Sequence, residues 1–201
     1  MESHKGPRAL LVLICVCFVF AGCRNPEDPR VWTDVRDTDA GFAAKFPRPF
    51  KGHEIRVETK DSAEGPVQFK VYGQSGLAFY YAITCATFPP TATDQIEPHE
   101  ALNKAADELL AEYQADVLVR ETISQKSVPG LLIRANIPRE PNDMLNNNQL
   151  HCMIFVRTNQ IFRVTAIGLG NEFMVERFFE AFKFLERPTP LIPVTQYDTE
   201  R

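Results

Sequence analysis

The sequence predicts an α+β fold, a single domain in which a twisted antiparallel sheet carries two packed helices. Two observations predict it. Between Phe42 and Ile167, apolar residues alternate with polar ones in several short runs, which is the period of half-buried strands. Two other segments, Pro98–Gln114 and Glu172–Phe184, switch to the three-to-four-residue spacing of amphipathic helices. Composition agrees, because 201 residues with 44% hydrophobic and 24% charged can build a core without disulfides. The net charge is only −4, and Lys and Arg are scattered along the chain. That distribution excludes the basic footprint of a nucleic-acid binder.

The folded body is expected to run from Val31 to Arg187. Phe42, Ala44 and Phe46 alternate in a first strand that Pro47 ends. Ile55 and Val57 mark a second, and Val67, Phe69 and Val71 a third. A Gly73–Gly76 turn leads into a long apolar strand, Leu77–Phe88, stopped by Pro89-Pro90. These four strands are expected to form an antiparallel meander with one wet face. In Pro98–Gln114, Leu102, Ala105, Ala106, Leu109, Leu110 and Tyr113 share one helix face, opposite Glu100, Lys104, Asp107, Glu108 and Glu112. The charged side is expected to be solvated. Strands near 117–123, 131–137, 150–157 and 161–167 follow, the last two joined at Thr158-Asn159-Gln160. In the final helix Val175, Phe178, Phe179 and Phe182 form an aromatic stripe, expected to dock on the sheet. Pro188–Arg201, with three prolines, is expected to be an extended tail.

The first segment follows different rules. Lys5 and Arg8 precede an unbroken apolar run, Ala9–Phe20, too short for the about 20 apolar residues of a spanning helix but suited to a secretory signal. Ala21 and Gly22 then stand directly before Cys23. This order resembles the lipobox of bacterial lipoproteins, with Phe20 where an aliphatic residue is usual. The resemblance implies a signal peptide over 1–22 and diacylglycerol with palmitate-like acyl chains on Cys23. It also implies a cell-envelope location, facing periplasm or exterior, with membrane lipid as the first partner through acylated Cys23. Residues 23–30, polar and with two prolines, would then be the tether. An ordinary cleaved signal or a short uncleaved anchor would share the same charged start and apolar run.

Processing at Cys23 would discard Cys15 and Cys17, lipidate Cys23 and leave Cys85 and Cys152 as the only thiols of the mature chain. Both lie in strand-like apolar runs. They could be small core residues, or they could form one disulfide if their Cα atoms came within about 7 Å.

A second resemblance rests on packing residues. Gly41, Phe42, Phe46 and Pro47 in an early strand, and Phe178, Phe179, Phe182 and Phe184 late in the chain, look like the PsbP-like α/β/α sandwich. That likeness spans roughly Val31–Arg187. It implies a fold and a partner-binding role, and it carries no active site across.

The chemistry-bearing residues are sparse. His53, His99 and His151 have none of the spacings that put two metal ligands on one face, so no metal site, cofactor or catalytic residue is assigned. Asp94 with Glu97, or Glu140 with Asp143, could approach one another as carboxylate pairs. Trp32, Tyr72, Tyr80 and Tyr81 are the better candidates for a recognition surface, with Tyr72 and Tyr80 able to project from the wet face unless a helix covers them. The expectation is a non-catalytic domain that binds an envelope protein or small ligand. The competing expectation is an enzyme built from scattered polar residues, supported by the long polar loop Pro138–Gln149.

Overall fold

The alternating segments do form strands, and they divide into two sheets. The computed structural model describes residues 32–47, 54–62, 65–75, 79–89, 97–138, 149–168 and 172–186. Cys23 with the signal and tether, His53, Asp94, residues 139–148 with Glu140 and Asp143, and the tail lie outside the described residues. In chain order the elements are β1 (Thr33–Asp37), β2 (Phe42–Phe46), β3 (Glu54–Ser62), β4 (Gly65–Ser75), β5 (Phe79–Thr87) and α1 (Pro98–Glu112). They continue with β6 (Asp116–Gln125), β7 (Val128–Asn136), β8 (Gln149–Arg157), β9 (Gln160–Gly168), α2 (Glu172–Ala181) and β10 (Lys183–Phe184).

The α+β class holds, but the expected single sheet is replaced by two. Seven strands in the order β3-β4-β5-β9-β8-β7-β6 make the larger sheet, and β1-β2-β10 make a small one. Every described pairing is antiparallel. The first expected strand, now β2, therefore leaves the meander and pairs with β1 and β10. β1 does not stand out in the sequence because its inward positions are Val35 and a buried carboxylate, Asp37. β10 was expected as the end of the last helix. Instead α2 stops at Ala181, and Phe182 just after it and Phe184 in β10 both reach the core.

Each face of the large sheet carries its own apolar cluster. On one face α1 lays Leu102, Ala105, Ala106 and Leu109 over Leu131, Ile133, Leu150, Cys152 and Ile154. The helix starts because Pro98 sits in its first turn and the Glu97 carboxylate accepts the Glu100 amide at 2.9 Å. It ends with Gln114 at φ +48°, where glycine is the usual residue. On the other face the small sheet and α2 bring Phe42, Phe46, Phe178, Phe182 and Phe184 against Tyr81, Ile83, Phe155 and Phe162. The rings meet in a network: Phe182 stacks on Phe42 and on Phe155, both with centroids 5.8 Å apart, while Phe178 meets Phe46 and Tyr81 edge-on.

Polar side chains fasten the small sheet to the large one. Arg157 on β8 donates to Gly41 O and Leu185 O, each at 3.1 Å, and lies over the Phe184 ring. Gln125 on β6 donates to Phe182 O and accepts from Phe184 N. Gly41 has φ +77°, and a Cβ there would come within 2.9 Å of the Arg157 guanidinium. The edge strand β6 carries a bulge between Val117 and Val119, and Leu118 stands exposed in it.

Candidate binding cleft

α1 is narrower than the sheet beneath it. Among the described residues it covers β7 and β8 and leaves the same face of β3 and β4 open beside it, so a cleft runs along the helix. Alternation decides its lining: Arg56, Glu58 and Lys60 of β3 share a face with Val71, Phe69 and Val67 of β4. One end of the cleft, about 440 Å³, has an apolar floor of Val67, Phe69, Phe88, Ala101, Ala105 and Ile161. Around its mouth stand Lys60, Asp61, Ser62, Glu97, Glu100, Lys104 and Glu108. The other end, about 330 Å³, is reached past Lys60 and Phe69, and there Tyr80, Tyr113, Glu112 and Arg163 line the walls.

The charges along the cleft are only partly neutralised. Arg163 bridges Glu108 at 3.4 Å and Glu112 at 3.7 Å and so straps α1 to β9. Glu58 is flanked by Arg56 and Lys60. The Lys60 ammonium also lies 5.3 Å from the centroid of the Phe69 ring, so a cation already rests on the aromatic part of the floor. Among the described residues, no cation stands within ion-pair range of Asp61, Glu97 or Glu100. Burial, and then the Glu112 carboxylate, pushes the Tyr113 hydroxyl up to about 12 and raises Tyr80 as well. Both phenols stay protonated at neutral pH and can donate into the cleft.

The structure separates the tyrosines singled out in the sequence. Tyr80 does face the side that α1 shares, half-buried at the cleft, whereas Tyr72 points through the sheet to the opposite face. Tyr81 and Trp32 are buried in the aromatic cluster. Tyr72 instead completes a polar knot. Its hydroxyl donates to Asp37 Oδ2 at 2.6 Å, Lys70 Nζ stands 3.1 Å from the same oxygen, and Asp37 Oδ1 accepts the amides of Asp39 and Ala40 at 2.9 Å. Burial pulls the Asp37 carboxyl upward, but the bonds from Tyr72, Ala40 and Lys70 outweigh it, and the net shift is below the usual aspartate value. The same burial and the neighbouring carboxylate raise Tyr72.

The remaining candidates do not converge. His99 is exposed in the first turn of α1, and His151 is buried on β8, with Nε2 3.3 Å from Gln149 Oε1. Burial first, then Arg134, lowers the His151 pKa. Among the described residues no three His, Cys, Asp or Glu side chains are grouped to hold a metal ion. Cys85 and Cys152 are both buried thiols. They face opposite sides of the large sheet with β9 between their strands. Two strand spacings are about 10 Å, beyond disulfide reach, so the bridge that the sequence allowed does not form in this fold. Burial lifts the Cys152 thiol to about 11.

Most of the cleft was missed because β3, α1 and β9 each contribute a few residues from distant parts of the chain. The one local signal was Glu100, Lys104, Glu108 and Glu112 on the charged side of the helix. Those four border the cleft, while Asp107 turns the other way to pair with Arg120.

No protein-family model matches the chain, and no curated protein matches it in sequence. Among solved structures it is similar to the cyanobacterial PsbP protein, CyanoP, of Synechocystis. That likeness has a TM-score of 0.47 and 9% identity and covers 81% of this chain and 97% of that one. It is also similar to a Pseudomonas aeruginosa protein of unknown function, with a TM-score of 0.33 and 16% identity, covering 68% of this chain and 82% of that one.

Proposed function

We propose that this chain is a lipid-anchored envelope lipoprotein whose α+β domain binds a ligand in the cleft between α1 and strands β3 and β4, without catalysing a reaction on it. The observation that carries the binding role is the cleft itself, which has apolar walls, a charged rim and a volume within the range of small-molecule sites. The anchor rests on the charged start, the apolar run and the small pair before Cys23. A PsbP-like architecture is part of the same reading. It is supported by Phe42, Phe46, Phe178, Phe182 and Phe184, which meet in one buried aromatic cluster.

Two measurements test the proposal. Cys23→Ser removes the thiol that would carry lipid, and the protein should move from the membrane fraction to the soluble fraction of lysed cells; full retention with the membranes sinks the anchor. In a fragment screen followed by amide chemical shifts, binders should perturb Phe69, Ala101 and Ile161. Hits that gather anywhere else remove the cleft from the proposal.

A further inference from the structure

We infer that the cleft selects a small amphipathic cation, an apolar body bearing one positively charged group. This deepens the binding role proposed above and rests on it. The size of the wider end, about 440 Å³, suits a ligand of small-molecule dimensions. Its floor, Val67, Phe69, Phe88 and Ile161, offers carbon and aromatic faces to the body of such a molecule and few polar atoms to satisfy.

The sign of the charge follows from the mouth. Four carboxylates, Asp61, Glu97, Glu100 and Glu108, line this end against two ammonium groups, Lys60 and Lys104. Arg163 is shared by Glu108 and Glu112, and Glu58 is shared by Arg56 and Lys60, so these two triplets carry opposite unit charges that offset each other. That leaves Asp61, Glu97 and Glu100 facing Lys104. The partial positive charge at the start of α1 offsets about half a unit of the excess, so the field at the mouth remains negative. The Phe69 ring already receives the Lys60 ammonium at 5.3 Å, so the carboxylates rather than this ring set the preference. A ligand cation held at the mouth, away from Lys60, meets the excess of carboxylates, while an anion is repelled by them.

The test compares two probes with the same body and opposite charge, 4-phenylbutylammonium and 4-phenylbutyrate, titrated into the full chain at low salt and followed by calorimetry and amide shifts. The ammonium should bind about fivefold or more tightly than the carboxylate, as two or three solvent-screened ion pairs allow. It should perturb Phe69, Ala101 and Ile161, and it should weaken when salt is raised. The double variant Asp61→Asn, Glu100→Gln changes only exposed side chains, and it should bring the two probes to nearly equal affinity while leaving the melting temperature in place. Equal or tighter binding of the carboxylate, with the cleft amides still shifting, overturns the charge selection and leaves the cleft as a binding site. Failure of both probes to shift those amides overturns the selection and the binding site together.

Discussion

Tyr72 and Asp37 show how one hydrogen bond can hold two layers in register. Asp37 ends β1 in the small sheet and Tyr72 lies in β4 of the large one, so their 2.6 Å contact joins sheets that share no ladder. A hydrogen bond to a buried charge contributes about 1.5–3 kcal/mol, and Tyr72→Phe should destabilise by that amount in chemical denaturation. The pH dependence follows from the direction of the carboxyl shift. Because the folded-state pKa of Asp37 lies below its unfolded value near 3.8, the bond stabilises above that pH. The contribution drains away as acidity carries the pH down through the folded value. The stability difference between parent and Tyr72→Phe should therefore be constant near neutrality and shrink below about pH 4. A difference that is unchanged at pH 2.5 would show that Asp37 is not the partner that matters. Nothing local in the sequence announces Asp37 as a buried carboxylate, because its side-chain partners Tyr72 and Lys70 lie 35 and 33 residues away.

At the scale of elements, α2 separates packing from exposure within three turns. Phe178 is fully buried between Phe46 and Tyr81, while Phe173 is 41% exposed, with the Arg177 guanidinium over its ring. Phe178→Ala should cost about 3–5 kcal/mol, comparable with the whole stability of a modest domain, and Phe173→Ala should shift the thermal midpoint by a degree or two at most. Equal effects would mean that the helix is rotated from the position described. The aromatic stripe was legible because helical spacing and residue size agreed. Its end was not legible, since Phe182 and Phe184 suit a buried strand as well as a buried helix. Both strands of the β6–β7 hairpin were expected, but its tight turn was hidden for a related reason. Its two turn residues, Lys126 and Ser127, adopt φ +48° and +64° without the Gly or Asn that usually signals such a turn.

For the molecule as a whole, the question is what keeps the small sheet seated. Arg157 contributes two hydrogen bonds and a cation over Phe184, so Arg157→Ala should cost about 2–4 kcal/mol. Amide exchange should accelerate first in β1, β2 and β10, and uniform acceleration through both sheets would refute the clasp. The separation into apolar and polar faces, and with it the α+β class, was legible from periodicity. The division into two sheets and the cleft were not, because both depend on which strands become neighbours. The bulge in β6 has a consequence beyond the single chain. A β-sheet with open edges is a template on which further copies can polymerise into ribbons, and among the described residues the large sheet ends in two such strands, β3 and β6. At one of them Leu118 throws the backbone donors out of step with any straight strand that approaches. At the other, Arg56, Glu58 and Lys60 are charged in alternation, so an incoming strand must match their signs as well as their spacing. Strand addition is thereby disfavoured on one side by geometry and on the other by charge.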